Sequence, residues 1–209
     1  MQNLKVGITG HTRGIGAAFA DYFKDHEIHG FSRSNGWDLN SKTSCEALLK
    51  NVEKFDVFIN NAPTENQEYL FSEIYNRWQG QDKSIINVSS MAGNINPAMW
   101  RHMEKYLSGT VDILAAFKHY VKYKRRLDSV SDQKAIETNV LHNGKPYTLN
   151  MKPAGVRTDM LGDAFMIDKV MSVDDFMTVF DTCWRLKDTT ARITSISFIG
   201  NENYNPNKP

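Results

Sequence analysis

The sequence predicts an α/β protein: a doubly wound parallel sheet in a three-layer αβα single domain. Three observations carry that expectation. Short apolar runs alternate with stretches of helical periodicity along almost the whole chain. The runs are continuously apolar, as strands buried on both faces are. The first of them leads directly into a glycine-rich turn and then a helix.

Length and composition fit one domain. The chain has 209 residues, of which 41% are hydrophobic and 23% charged, the mix of an ordinary soluble globular protein. The domain is expected over 1–200, followed by a polar tail, NENYNPNKP, over 201–209. A formal net charge of +1 gives no global attraction to nucleic acid or to an anionic membrane. The one dense basic run, KYKRR at 122–126, reads as a solvated helix end, with a local phosphate or acidic-partner site as the alternative. Cys45 and Cys183 are far apart and lack C-x-x-C spacing, so neither a disulfide framework nor a metal site is expected. No apolar stretch reaches the ~18 residues of a membrane span. The opening MQNLKVGITG lacks the long apolar run of a signal peptide, and the expected compartment is the cytoplasm.

The elements follow in order. Leu4–Thr9 reads as a buried strand. Gly14–Lys24 has Ile15, Ala18, Phe19, Tyr22 and Phe23 at helical spacing. Glu27–Ser32 is a weaker strand, and Ser41 can cap a helix reaching about Lys54. Asp56–Asn60 is a third strand, Gln67–Trp78 a helix and Lys83–Ser89 a further strand. A long helix is expected from Arg101 to Arg126. Residues 127–146 read either as a helix from Ser131 ended by Asn143-Gly144 or as a hairpin turning there. Pro146–Lys152 is a strand, Ser172 caps a helix with Phe176, Val179, Phe180 and Trp184, and Arg192–Ile199 closes as the last strand.

The turn itself, TGHTRGIG at 9–16, sits between strand and helix, where glycines permit a tight turn and the helix N-terminus offers free N–H groups to a phosphate. Its spacing, T-G-x-x-x-G-x-G, resembles the cofactor fingerprint of the short-chain dehydrogenase/reductase family, whose domain is a Rossmann fold. Further segments match in family order. Asp38-Leu39 resembles the acid placed near the adenine. Asn60-Asn61-Ala62 resembles N-N-A-G, with Pro63 in place of the last glycine. Ile86-Asn87-Val88-Ser89-Ser90 resembles the strand that ends at the catalytic serine. Pro153 to Met160, with Val156 and Thr158, resembles the P-G-x-V-x-T segment beside the nicotinamide. The resemblance reaches from Leu4 to about Met160 and implies Thr9, Gly10, Gly14, Ile15, Gly16, Asn60, Asn61, Ala62, Pro153, Val156 and Thr158 at the cofactor. It also implies a strand order of 3-2-1-4-5-6-7, a small-molecule substrate, and assembly as a homodimer or homotetramer.

The choice of cofactor is argued from charge. An NAD-preferring protein usually carries a carboxylate at the end of the second strand. Here that stretch is Gly30-Phe31-Ser32-Arg33-Ser34. Arg33 and Arg13 would attract a 2′-phosphate, with Ser32 adding a hydroxyl, so the expectation is NADP(H). Two ordinary surface arginines are the alternative.

In the family a serine holds the carbonyl, a tyrosine moves the proton, and a lysine four residues later lowers the tyrosine's pKa from about 10. Ser90 fits the serine. Tyr106, read as opening a helix 16 residues later, is the expected tyrosine, with Thr110 at the lysine position. Threonine can hydrogen-bond a ribose but supplies no charge. A literal Y-x-x-x-K, Tyr120 to Lys124, stands about 20 Å further along a continuous helix and is the alternative pair. The stretch between Asn61 and Ser90 is short, and Asn66 or Asn76 is the candidate for the family's relay asparagine. LGDAFMIDKVM at 161–171 can form a small lid. Three functions follow: an NADP(H)-dependent reductase, a cofactor-binding protein that has lost turnover, or a structural protein retaining only the fold.

Overall fold

The computed structural model describes residues 3–106, 111–158 and 170–200. Its sheet is open, entirely parallel and six-stranded, in the order β2-β1-β3-β4-β5-β6. The strands are β1 (Lys5–Thr9), β2 (Glu27–Phe31), β3 (Val57–Asn60), β4 (Ser84–Val88), β5 (Tyr147–Pro153) and β6 (Ser195–Phe198). All residues of β3, β4 and β5 are buried, their apolar side chains together with polar ones such as Asn60, Asn87 and Asn150. The family order with seven strands is therefore corrected. Among the described residues no strand lies outside β2, because the chain after β2 runs through a short 3-10 turn, Arg33–Asn35, into α2 (Lys42–Leu49).

Helices cover both faces. On one, α1 (Gly14–Tyr22) packs against α6 (Val173–Leu186), with Phe19 and Phe180 edge to face at 4.8 Å. This layer shares a core with Val6, Ile8, Ile59, Ile86 and Leu149. On the other face lie α2, α3 (Gln67–Trp78) and α5 (Val111–Leu141), joined through Leu48, Leu70, Phe71, Ile74, Trp78 and Leu127. Ser172 caps α6 as expected: its hydroxyl accepts from the Asp175 N–H at 3.0 Å, and Asp175 accepts in return from the Ser172 N–H.

The middle of the chain departs from the expected elements. The sequence suggested one helix from Arg101 to Arg126; helix is described over α4 (Pro97–Tyr106) and α5 (Val111–Leu141), and 107–110 lie outside the described residues. Tyr106 does not open a helix, because α4 already begins at Pro97. The segment 127–146 is no hairpin, because α5 runs on to Leu141 without a break at Ser131. Asn143 and Gly144 then reverse the chain with φ of 52° and 76°.

Candidate active site

The carboxyl ends of β1, β3 and β4 place the glycine-rich turn, Asn60-Asn61 and Ser90 along one edge of the sheet. The turn is built for close approach. Gly10 and Gly14 take φ of 68° and 52°. A Cβ on Gly16 would lie 2.0 Å from the Gly10 carbonyl oxygen, so the loop presses on α1 without side chains between them. No side chain caps the N-terminus of α1, which leaves its donors for an anion.

The turn is bolted to β3. The Thr9 hydroxyl donates to the Ile59 carbonyl (3.3 Å) and accepts from the N–H groups of Asn61 (2.8 Å) and Ala62 (2.9 Å). Asn61 Nδ2 donates to the Thr9 carbonyl at 3.0 Å. Ile15 packs beneath, against the α1–α6 core. Thr158 reaches the turn from the segment after β5: a Cβ on Gly14 would meet its Cγ2 at 3.0 Å. Pro153 ends β5, and Val156 forms an isolated bridge with Met171.

At the other end of the groove, Gly10 N–H donates to the Phe31 carbonyl, so the turn touches the end of β2. There Ser32 is buried, with its hydroxyl 2.8 Å from that of Ser34, and Arg33 is exposed. Arg33 has no ion-pair partner among the described residues, while Arg13 on the turn is also exposed and engaged in contacts of its own. Asp38 is exposed and accepts from the Asn40 N–H, whereas Leu39 is buried. These residues fit a dinucleotide with its pyrophosphate on α1 and its ribose near Arg33.

Beside Ser90 the described residues include the alternative pair, Tyr120 and Lys124. The Tyr106 side chain and all of Thr110 lie outside the described residues, as does 159–169, most of the expected lid. Tyr120 on α5 lies near enough to Ser90 for the serine hydroxyl to favour its phenolate. Ser90 is buried, starts the 3-10 turn Met91–Asn94 and accepts from the Ala92 N–H at 3.1 Å. An aromatic wall leads from α4 to Tyr120: Trp100 stacks on Phe117 at 5.8 Å, and Phe117 lies 6.1 Å from Tyr120.

One turn on, Lys124 is 1% exposed, although it belongs to the basic run read as a solvated helix end. Its Nζ donates to Gln67 Oε1 (2.6 Å) and to the Val88 carbonyl (2.9 Å), and it lies 5.5 Å from the Tyr120 ring centroid. Burial pushes its pKa down to about 7, against the opposing attraction of Asp128. Burial likewise raises the Tyr120 pKa, with the Ser90 hydrogen bond opposing it and Asp128 adding to it. Gln67, not Asn66 or Asn76, occupies the place beside the lysine. Its Nε2 donates to the carbonyls of Asn60 (2.6 Å) and Val88 (2.9 Å). Asn60 in turn donates to the Gln67 carbonyl and to Asn87. Asn66 instead donates to the carbonyls of Leu39 and Asn40, and Asn76 is exposed.

Solved structures share this architecture. A short-chain dehydrogenase from Burkholderia cenocepacia in complex with NADP aligns with a TM-score of 0.66 at 12% identity, over 94% of this chain and 88% of that one. A bulky-bulky ketone specific alcohol dehydrogenase from Comamonas testosteroni gives 0.65 at 15% identity, over 94% and 86%. A 3-alpha-hydroxysteroid dehydrogenase from Pseudomonas sp. B-0831, complexed with NADH, gives 0.65 at 15%, over 92% and 95%. The chain has the fold of the short-chain dehydrogenases/reductases. No protein-family model and no curated protein matches the sequence. Among the described residues no helix is long and apolar enough to cross a membrane.

Proposed function

We propose that the protein is a nicotinamide-dependent oxidoreductase of the short-chain dehydrogenase/reductase type, using NADP(H) to reduce a carbonyl on a small molecule. The observation that carries this reading is Lys124, buried on α5 with its Nζ 5.5 Å from the centroid of the Tyr120 ring, close to Ser90. The catalytic pair is therefore Tyr120 and Lys124, in place of Tyr106 and Thr110. The nicotinamide, when bound, supplies or accepts the hydride. Ser90 holds the carbonyl oxygen, and Tyr120 gives it the phenolic proton. Lys124, 5.5 Å from the Tyr120 ring centroid, is the cation proposed to steady the phenolate so formed. Because the pKa of Tyr120 is raised, the phenol keeps its proton at neutral pH and is ready to act as an acid. Reduction is then the favoured direction there, since alcohol oxidation needs the phenolate.

The bound dinucleotide would lie across Gly10, Gly14 and Gly16, with Thr158 above the turn and Arg33 and Arg13 at the 2′-phosphate. A second reading has its own support. Lys124 is held by Gln67 and Val88 and does not lower the Tyr120 pKa, as a binding protein without turnover would allow.

The test combines fluorescence titration with NADPH and NADH and a turnover assay on a panel of aldehydes and ketones. The expected result is tighter NADPH binding and NADPH consumption that Tyr120→Phe abolishes and Tyr106→Phe leaves within about twofold. Binding without turnover of any carbonyl supports the second reading. The reverse pattern for the two tyrosines overturns the assignment of Tyr120.

A further inference from the structure

The proposed reaction leaves one buried charge unused. Asp128 follows Lys124 by four residues on α5, so the two project from the same face of the helix. It is 6% exposed. Asn150 on β5 donates to its Oδ1 at 2.9 Å. Gly93 closes over its Oδ2, where a Cβ on Gly93 would come within 2.5 Å. Burial raises the Asp128 pKa, and nearby Ser89, Asn150, Lys152 and Lys124 oppose it; among the described residues Ser89 Oγ, Asp128 Oδ2 and Asn150 Oδ1 have no hydrogen-bond partner. A buried carboxylate with a half-satisfied shell is costly unless a nearby cation balances it.

Few charged groups face Lys124. On α5 they are Asp128 and the phenols of Tyr120 and Tyr123. Glu65 lies beyond Tyr123 and is paired with His119. From α3 comes neutral Gln67, and from β4 only the Val88 carbonyl. β5 brings Lys152 toward Asp128, itself paired with Asp132 at 3.3 Å. Asp128 is thus the carboxylate among the described residues that acts on the Lys124 ammonium.

We infer that Asp128 is a positioning residue whose buried carboxylate holds Lys124 in its ammonium form, and so sets the pH range in which Ser90 and Tyr120 work. The catalytic half of this statement rests on the oxidoreductase reading; the electrostatic half does not. Burial and Asp128 pull Lys124 in opposite directions, and removing the carboxylate leaves burial alone.

Asp128→Asn, nearly the same shape without the charge, tests both halves. The side-chain carbon resonances of Lys124, identified by their loss in Lys124→Met, are followed through pH by NMR. The expected midpoint is near pH 7 in the unaltered protein and at least one unit lower in Asp128→Asn. Carbonyl reduction by the variant at pH 8 should then fall at least tenfold in kcat and recover toward pH 6, with KM within about twofold. An unchanged midpoint overturns the inference, and so does a loss of kcat equal at every pH. Should the variant not fold, Ser89→Ala removes a group that favours the carboxylate. It should move the midpoint down by less; no movement overturns the inference. A shifted midpoint in a protein that reduces no carbonyl retires the oxidoreductase reading and keeps the hold of Asp128 on Lys124. An active enzyme with an unshifted midpoint does the opposite.

Discussion

Replacing Lys124 with Met should make the protein more stable at pH 6 and less stable at pH 10. Lys124 has a pKa of about 7 in the folded protein against an ordinary 10.5. Below pH 7 both folded and unfolded chains carry the proton, and the full penalty of burying the ammonium is present. Between about 7 and 10.5 only the unfolded chain carries it, so stability rises with pH at about 1.4 kcal/mol per unit. The whole interval corresponds to about 5 kcal/mol. Methionine has a similar volume and no charge, so Lys124→Met should lose this slope. It also leaves Gln67 Oε1 without its donor, at a cost of about 1–3 kcal/mol, while the Val88 carbonyl keeps the bond from Gln67 Nε2. The difference is a net gain of roughly 2–4 kcal/mol at pH 6 and, since about 1 kcal/mol of the penalty remains at pH 10, a net loss of roughly 0–2 kcal/mol there. Urea unfolding of both proteins at half-unit steps of pH measures it. Two parallel curves would refute the reasoning, because they would mean that Lys124 titrates alike in both states.

Three further outcomes are expected. Arg33→Gln should weaken NADPH binding at least tenfold and NADH binding by less than about twofold in the fluorescence titration; equal losses would remove the proposed contact with the 2′-phosphate. Gly16→Ala should abolish cofactor binding and lower Tm by roughly 5 °C or more, because the new methyl would meet the Gly10 carbonyl oxygen, a backbone atom that cannot swing aside. Ser172→Ala removes the cap of α6 and should cost about 1 kcal/mol, or roughly 2–4 °C by calorimetry, without changing cofactor affinity.

The sheet was legible because its central strands are buried and rich in apolar residues, and all six strands lay close to where the apolar runs placed them. The glycine turn was legible because a tight approach leaves its mark as missing side chains. The proposed preference for Tyr120 over Tyr106 was hard to read from the sequence for a physical reason. Counting from Ser90 to the first tyrosine took no account of the helical residues from Pro97 that precede Tyr106, and Tyr120 follows only on α5. A signal for it was present. Phe117, Tyr120, Lys124 and Leu127 recur at helical spacing, and Lys124 falls within that stripe instead of on the exposed side with Lys122 and Arg126. A lysine in register with a core stripe is a candidate buried charge, whatever basic residues flank it. Gln67 left no such mark, since one glutamine after T-E-N reads equally well as the polar start of a helix. Its role depends on Val88 and Lys124, which are distant in sequence.

The sheet's end at β2 bears on how the protein behaves in crowded solution. An edge strand offers unpaired backbone groups on which another chain can add a strand. Along β2, Glu27 and Phe31 turn their bonding groups inward, to Leu4 and Gly10. In a strand of five residues that leaves only Ile28 and Gly30 facing out. Asn35 Nδ2 already fills the Gly30 carbonyl at 2.7 Å, folding back from the turn that also carries Arg33. The outer rim is reduced to little more than one residue's worth of free donors and acceptors. A sheet trimmed by a strand thus meets the solvent with a sealed border, and strand-by-strand polymerisation through this side has almost nothing to grip.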